Sequence, residues 1–247
     1  MADQIFIGTS GWIYKEWAGD FYRGIKAKDQ FAFYATQFPT VEINATFYRL
    51  PNLKMVHGWR KKAPEGFVFA VKGSRLITHL KRLQNLGRTV GNFIRRIQPL
   101  GPRLGPLLWQ LPPNLQKDLP RLKRFLQRLP AELSHAFEFR HLSWLEPDTM
   151  DLLRSFNAAF VSVSSLRVPM DLSVTADFIY IRFHGLSGGA RHDYTKAELA
   201  PWVEHIRTQS DSGRRVFAYF NNDLNVRAPN NAKLLMKLCE AAELQPA

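Results

Sequence analysis

Glu42 and Asn44, Lys72, Glu138 and Arg140, and Arg182 and His184 stand on four short apolar runs spanning 41–44, 67–72, 137–140 and 179–184. Strands alternate faces with period two. If the bulky apolar residues of each run face one way, these seven face the other. Charges on the inner side of a buried sheet are costly unless they pair or face water. The pattern therefore predicts a ligand pocket or an active site. Glu42 and Glu138 are the candidate acid/base pair. A carboxylate among cations stays ionised and serves as a base or metal ligand, whereas desolvation would raise its pKa. Lys72, Arg140 and Arg182 form a cationic set. The arginine fork suits phosphate or carboxylate, and Lys72 becomes a nucleophile if its neighbours lower its pKa. Two carboxylates do not balance three cations, and the residual charge favours an anionic ligand. His184 titrates near neutral pH and suits a proton shuttle.

Further polar positions close other runs. Gln110 ends Leu107-Leu108-Trp109-Gln110, and Asn221 and Asn222 follow the last run as donors for a carbonyl or phosphate. Gly185-Leu186-Ser187-Gly188-Gly189 is glycine-rich, so the amides around Gly185 and Gly188 are candidates to approach an anion. Trp12, Tyr14, Phe47 and Tyr48 could stack on a base or sugar, or pack as a loop latch. His141 beside Arg140 points the other way, and His192 and Asp193 are expected in a mobile loop. No H-x-H, H-E-x-x-H or D-x-D spacing occurs. Glu42, Glu138 and His184 are the weak metal candidates, able between them to hold one divalent ion.

Eight strands must position these groups: 4–8, 40–44, 67–72, 106–110, 135–139, 159–163, 178–182 and 215–220. Helical patterns lie between most of them. Asp29–Gln37 and Asn52–Lys62 begin on capping residues. Leu83, Leu86, Val90, Phe93, Ile94 and Ile97 make one i, i+3, i+4, i+7 stripe, and Leu122, Phe125, Leu126 and Leu129 another after Pro120. Asp148–Phe156 is short. Thr195 and Glu198 have capping-box spacing and open a helix to about Thr208, and Asn230–Ala242 forms the last. The stretch 164–177 lacks a helical stripe. Strands alternating with helices imply parallel pairing with right-handed crossovers. The reading is α/β: a single (β/α)8 TIM-barrel domain over 1–247, its sixth unit without a full helix. Such barrels carry their chemistry at the C-terminal strand ends. An open doubly wound sheet is the fallback, weakened because Gly8-Thr9-Ser10-Gly11 does not match G-x-G-x-x-G.

The 247 residues carry a net charge of +13. Sixteen Lys and Arg against two acids, Glu65 and Asp118, give +14 between Arg60 and Arg128. That block suggests an anionic partner, nucleic acid among them. No run approaches the ~20 apolar residues that span a bilayer, and the N-terminus lacks a signal-peptide pattern. Cys239 is the single cysteine, so no internal disulfide forms. A cytoplasmic protein, with an anionic small molecule or nucleic acid as partner and no membrane, is expected.

Several motifs occur in order along the chain. They are Gly8-Thr9-Ser10-Gly11-Trp12 with Phe21-Tyr22, Val41 to Tyr48, Lys72 with Thr78-His79, and Gln110-Leu111-Pro112-Pro113. Glu138-Phe139-Arg140-His141 with Ser143-Trp144, Arg182-Phe183-His184-Gly185 and Tyr219-Phe220-Asn221-Asn222 complete the set. Together they resemble the YecE-like domain-of-unknown-function family, over nearly the whole chain. The resemblance implies a TIM barrel and supplies no reaction. One departure is Ser162-Val163-Ser164, where many relatives would carry an acid. The leading expectation is an enzyme acting on an anionic, phosphate-bearing substrate by acid/base chemistry, with phosphoester hydrolysis the most economical form. The alternatives are a non-catalytic nucleic-acid-binding protein using the basic 60–128 face, and a small-molecule sensor.

Overall fold

Short apolar runs form the strands, among them Phe178–Gly185 and Arg215–Phe220, whose apolar residues are buried. The computed structural model describes residues 4–243. In chain order the elements are β1 (Ile5–Ser10), α1 (Gln30–Gln37), β2 (Thr40–Ile43), α2 (Ala45–Tyr48), α3 (Leu53–Lys62) and β3 (Val68–Lys72). Then follow α4 (Thr89–Ile97), β4 (Leu104–Gln110), α5 (Leu119–Leu126), β5 (His135–Glu138), α6 (Pro147–Ser155) and β6 (Ala159–Ser165). The chain ends with β7 (Phe178–Gly185), α7 (Lys196–Asp211), β8 (Arg215–Phe220) and α8 (Arg227–Glu243). The strands are hydrogen-bonded in sequence order and close as a barrel, the fold class expected. No helix separates β6 from β7, as the missing stripe over 164–177 predicts.

The residues divide into two compact units. The first is Met1–Val41, Ser162–Leu172 and Asp177–Ala247; the second is Glu42–Val161 and Ser173–Ala176. In the second, Trp109 of β4 is fully buried between Phe93 of α4 and Phe125 of α5, with ring centroids 5.8 and 5.1 Å away. Phe137 of β5 meets Phe125 at 6.0 Å. These rings point outward to the helices, so Gln110 and Glu138, one residue on, point to the other face of the sheet. Parallel pairing sets Gln110 directly opposite Glu138. In the first unit, Phe183 stacks on Phe220 at 4.2 Å and meets Trp202 of α7 edge-on at 5.2 Å. Arg182 and His184, its sequence neighbours, therefore share the opposite face of β7.

Two local expectations need correction. The 83–97 stripe is buried throughout, yet the helix begins only at Thr89. Arg82, Leu83 and Asn85 have φ of 47°, 64° and 48°, a left-handed backbone that no α-helix accommodates. Leu83 and Leu86 thus reach the core from a turn. Asp29 stands before α1, but its side chain makes no capping hydrogen bond. Asn52 does cap α3, accepting from the Met55 N–H at 2.8 Å. The Thr195–Glu198 capping box forms in full.

Candidate functional site

In the second unit the strand ends gather one polar group. Glu138 ends β5 with no side-chain exposure, ion-paired with the Arg140 guanidinium through its Nε. Gln110 Nε2 donates to the same carboxylate oxygen at 3.0 Å. The Arg140 contact is an ion pair and the Gln110 contact a donated hydrogen bond, the partners an ionised carboxylate takes. Lys72 ends β3, and its ammonium lies over the Phe47 ring, 4.4 Å from the centroid. Phe47 reaches that position because the Thr46 hydroxyl, within 2.9 Å of Ile43 O and 2.6 Å of Lys72 O, ties α2 to the end of β3. His79 stands on the turn Leu76–Leu80 and meets the Phe47 ring edge-on at 4.9 Å. Its Nδ1 is 2.9 Å from the Thr78 hydroxyl. Burial pushes the His79 pKa below its usual 6.5. Lys72 and Arg140 push it the same way, and Glu138 opposes them. A neutral imidazole therefore shares its field with two cations and a carboxylate.

Glu42 is fully buried on β2. Asn44 follows that strand half-buried, and its Oδ1 has no hydrogen-bond partner among the described residues. Tyr48 is 71% exposed, meeting Phe47 edge-on at 5.0 Å. His141 is occupied locally, its Nδ1 lying 2.8 Å from the Ser143 hydroxyl and 3.2 Å from the Ser143 N–H.

In the first unit, Arg182 is fully buried on β7. Its Nη2 is 3.5 Å from Ser10 Oγ, and its Nη1 is 3.4 Å from His184 Nε2. A guanidinium only donates, so the second contact requires a lone pair on Nε2. On the other side of the ring, Asn221 Nδ2 lies 3.2 Å from His184 Nδ1.

The loop after β7 is built differently from the anion cradle that its glycines suggest. The Gly185 N–H donates to the Tyr194 hydroxyl at 3.0 Å, which donates in turn to Ser164 Oγ at 2.8 Å. Burial pushes the Tyr194 pKa up to about 12, so the phenol stays protonated. Gly185 has φ of 85°, and a Cβ there would stand 1.9 Å from Gly189 O. Its glycine is a packing requirement. Gly188, at φ of 84°, turns the loop. Asn222 is fully buried and gives its amide to His192 O and Asn231 Oδ1, both at 2.7 Å. Asn231 in turn donates to Asp193 Oδ1 at 2.8 Å, and Arg227 pairs with the same carboxylate. His192 and Asp193 are therefore tied down rather than carried on a free loop. The donor groups of Asn222 and Gly185 hold the fold together. Trp12 needs the same correction. It is 8% exposed and edge-on to Phe31 at 5.3 Å, and its carbonyl accepts from the Tyr22 hydroxyl. These contacts match the loop-latch alternative of the sequence reading.

His79 and Thr46 were not among the residues singled out from the strand ends, although Thr78-His79 is one of the motifs that carry the family resemblance. Among the described residues no three His, Cys, Asp or Glu side chains are grouped to hold a metal ion. None of the described helices is long and apolar enough to cross a membrane.

The family described as a protein of unknown function, DUF72, matches residues 6–247. The chain is 35% identical over 138 residues to the UPF0759 protein YecE of Escherichia coli strain K12. That stretch covers 56% of this chain and 48%, about half, of that relative. UPF0759 protein YunF of Bacillus subtilis is 25% identical over 273 residues, covering 96% of this chain and 95% of the relative. A DUF72 family protein from Thermotoga maritima, solved by crystallography, is 28% identical with a TM-score of 0.88 over 96% of this chain and 99% of that one.

Proposed function

Because the chain belongs to the DUF72 family, whose description names no reaction, we propose from the residues alone that it is an enzyme acting on an anionic, phosphate-bearing substrate by acid/base chemistry. The observation that supports this reading is the grouping of His79, Lys72 and the Glu138–Arg140 pair. Lys72 and Arg140 take the phosphate oxygens. A guanidinium has five N–H donors, so pairing through Nε is compatible with holding a second anion. Glu138 and Gln110 orient Arg140. His79, neutral at pH 7, accepts the proton of a water that attacks phosphorus while the ester P–O bond breaks, and the leaving alkoxide takes a proton from solvent and departs as the alcohol. Glu42, also buried in this unit, is the second carboxylate in reserve for proton transfer. Exposed Tyr48 offers a face to the apolar or aromatic part of the substrate. In the first unit, Arg182, His184 and Asn221 form a separate set of the same chemistry, with His184 as its proton carrier. The single buried cysteine, Cys239, suits a cytoplasmic setting.

The test is turnover of a panel of phosphomonoesters and phosphodiesters by the wild type, His79→Gln and Glu138→Gln. Loss of a positioned proton acceptor costs roughly 10²–10⁴ in rate. Equal rates in all three proteins, or no binding to any phosphoester, would remove the proposal.

A further inference from the structure

We infer that a cleft between α3 and the start of β4 in the second unit binds the sugar–phosphate backbone of a nucleic acid. His57, Arg60, Lys61 and Arg103 line this cleft, a shallow space of about 440 Å³. No carboxylate lines it. The two arginines are fixed before any ligand arrives. Arg60 Nη1 donates to Pro99 O at 3.2 Å, and Arg103 donates to Pro64 O at 3.3 Å and Ala63 O at 3.0 Å. One anchor on Arg60 and two on Arg103 leave N–H donors on each guanidinium for an oxyanion. Pre-fixed planes also lower the ordering cost of binding. Gly101 makes room for this arrangement. Its φ is 59°, and a Cβ there would stand 3.2 Å from Arg60 Cζ.

The breadth of the cleft argues for a long ligand over a small one. A shallow site cannot surround a compact phosphate and strip its water. A polyanion gains instead from many cations along its length through counterion release. Those cations continue beyond the cleft. Arg95 and Arg96 close α4, whose apolar residues face inward. Residues 42–161 hold twenty Lys and Arg against eight Asp and Glu, a net +12 of the chain's +13. The inference stands apart from the chemistry proposed at the strand ends and needs no turnover.

The experiment is fluorescence anisotropy of a labelled 20-nucleotide single strand and a 20-base-pair duplex, from 50 to 200 mM salt. The proteins are the wild type, an Arg60→Gln/Lys61→Gln/Arg103→Gln triple variant and a His57→Glu/Lys61→Glu pair that leaves the carbonyl anchors intact. The wild type is expected to bind at 50 mM salt. The triple variant should lose about 30-fold or more in affinity and about 2–3 from the slope of log affinity against log salt. The charge-reversal pair should lose at least about tenfold with unchanged melting. Absence of wild-type binding at 50 mM salt, or variants that bind like the wild type, would overturn the inference. So would an equal loss in Lys123→Gln/Arg124→Gln, which would show diffuse attraction, or displacement of the strand by tripolyphosphate at matched phosphate concentration.

Discussion

Replacing Glu138 by Gln removes one charge from the second unit while keeping an acceptor for Gln110 Nε2. A fully buried pair that loses one partner costs about 3–5 kcal/mol, and an exposed pair contributes about 0–1. The Glu138 side chain has no exposure and Arg140 keeps 21%, so a guanidinium facing a neutral amide recovers part of its hydration. That places Glu138→Gln at about 1–3 kcal/mol. At roughly 2–4 °C per kcal/mol for a chain of this size, the melting temperature should fall by about 2–12 °C. The assay is a double-mutant cycle with Arg140→Gln, read by thermal and urea unfolding at pH 7. The singles should sum to more than the double, with a coupling of about 1–2 kcal/mol. A double variant that equals the sum of the singles within about 0.3–0.5 kcal/mol would refute the pairing as an energetic unit.

The remaining predictions concern titration and packing. Burial leads in holding His79, His135 and His205 below their usual 6.5, so between the folded and unfolded values the unfolded chain binds more protons. Stability should therefore fall as pH drops below about 7, and His79→Gln should lose less than the wild type between pH 7.5 and 5.5 in denaturant titrations; an equal loss contradicts the assignment. Gly185→Ala should destabilise by more than the roughly 1–2 kcal/mol of a left-handed non-glycine residue, because the new methyl meets the Gly189 carbonyl; a neutral result in urea unfolding would refute the packing requirement. Trp12→Ala should cost about 3–5 kcal/mol in the same measurement, and Tyr48→Ala less than about 0.5, with its effect appearing in ligand affinity instead.

Strand positions were legible because aromatic and β-branched residues alternate with small or polar ones, and the same alternation put Gln110, Glu138, Arg182 and His184 on the face away from the helices. The seventh crossover's capping box was equally plain, since Thr195 and Glu198 interact over three residues. Burial was legible without backbone at 83–97. The stripe marks the right side chains, yet the left-handed φ values at 82, 83 and 85 are invisible to a periodicity count. Longer-range competition for donors was not legible. Nothing local tells Asn222 that His192 and Asn231 will take its amide, or tells the Gly185 N–H that Tyr194 will reach it. Trp12 could stack or latch by type alone, and only its packing on Phe31 decides. His79 escaped because it sits on a turn, and only the Thr46 tie that brings Phe47 over the end of β3 places it beside Lys72.

In the function proposed above, Lys72, His79 and Arg140 together receive a phosphate-bearing anion. A crystal structure with inorganic phosphate or a non-hydrolysable phosphoester tests it most directly. Density for the phosphoryl group within hydrogen-bonding reach of Lys72 Nζ and the Arg140 guanidinium, with the His79 ring facing it, is the predicted result. A phosphoryl group bound elsewhere, with none in reach of Lys72 Nζ or the Arg140 guanidinium, would contradict that proposal.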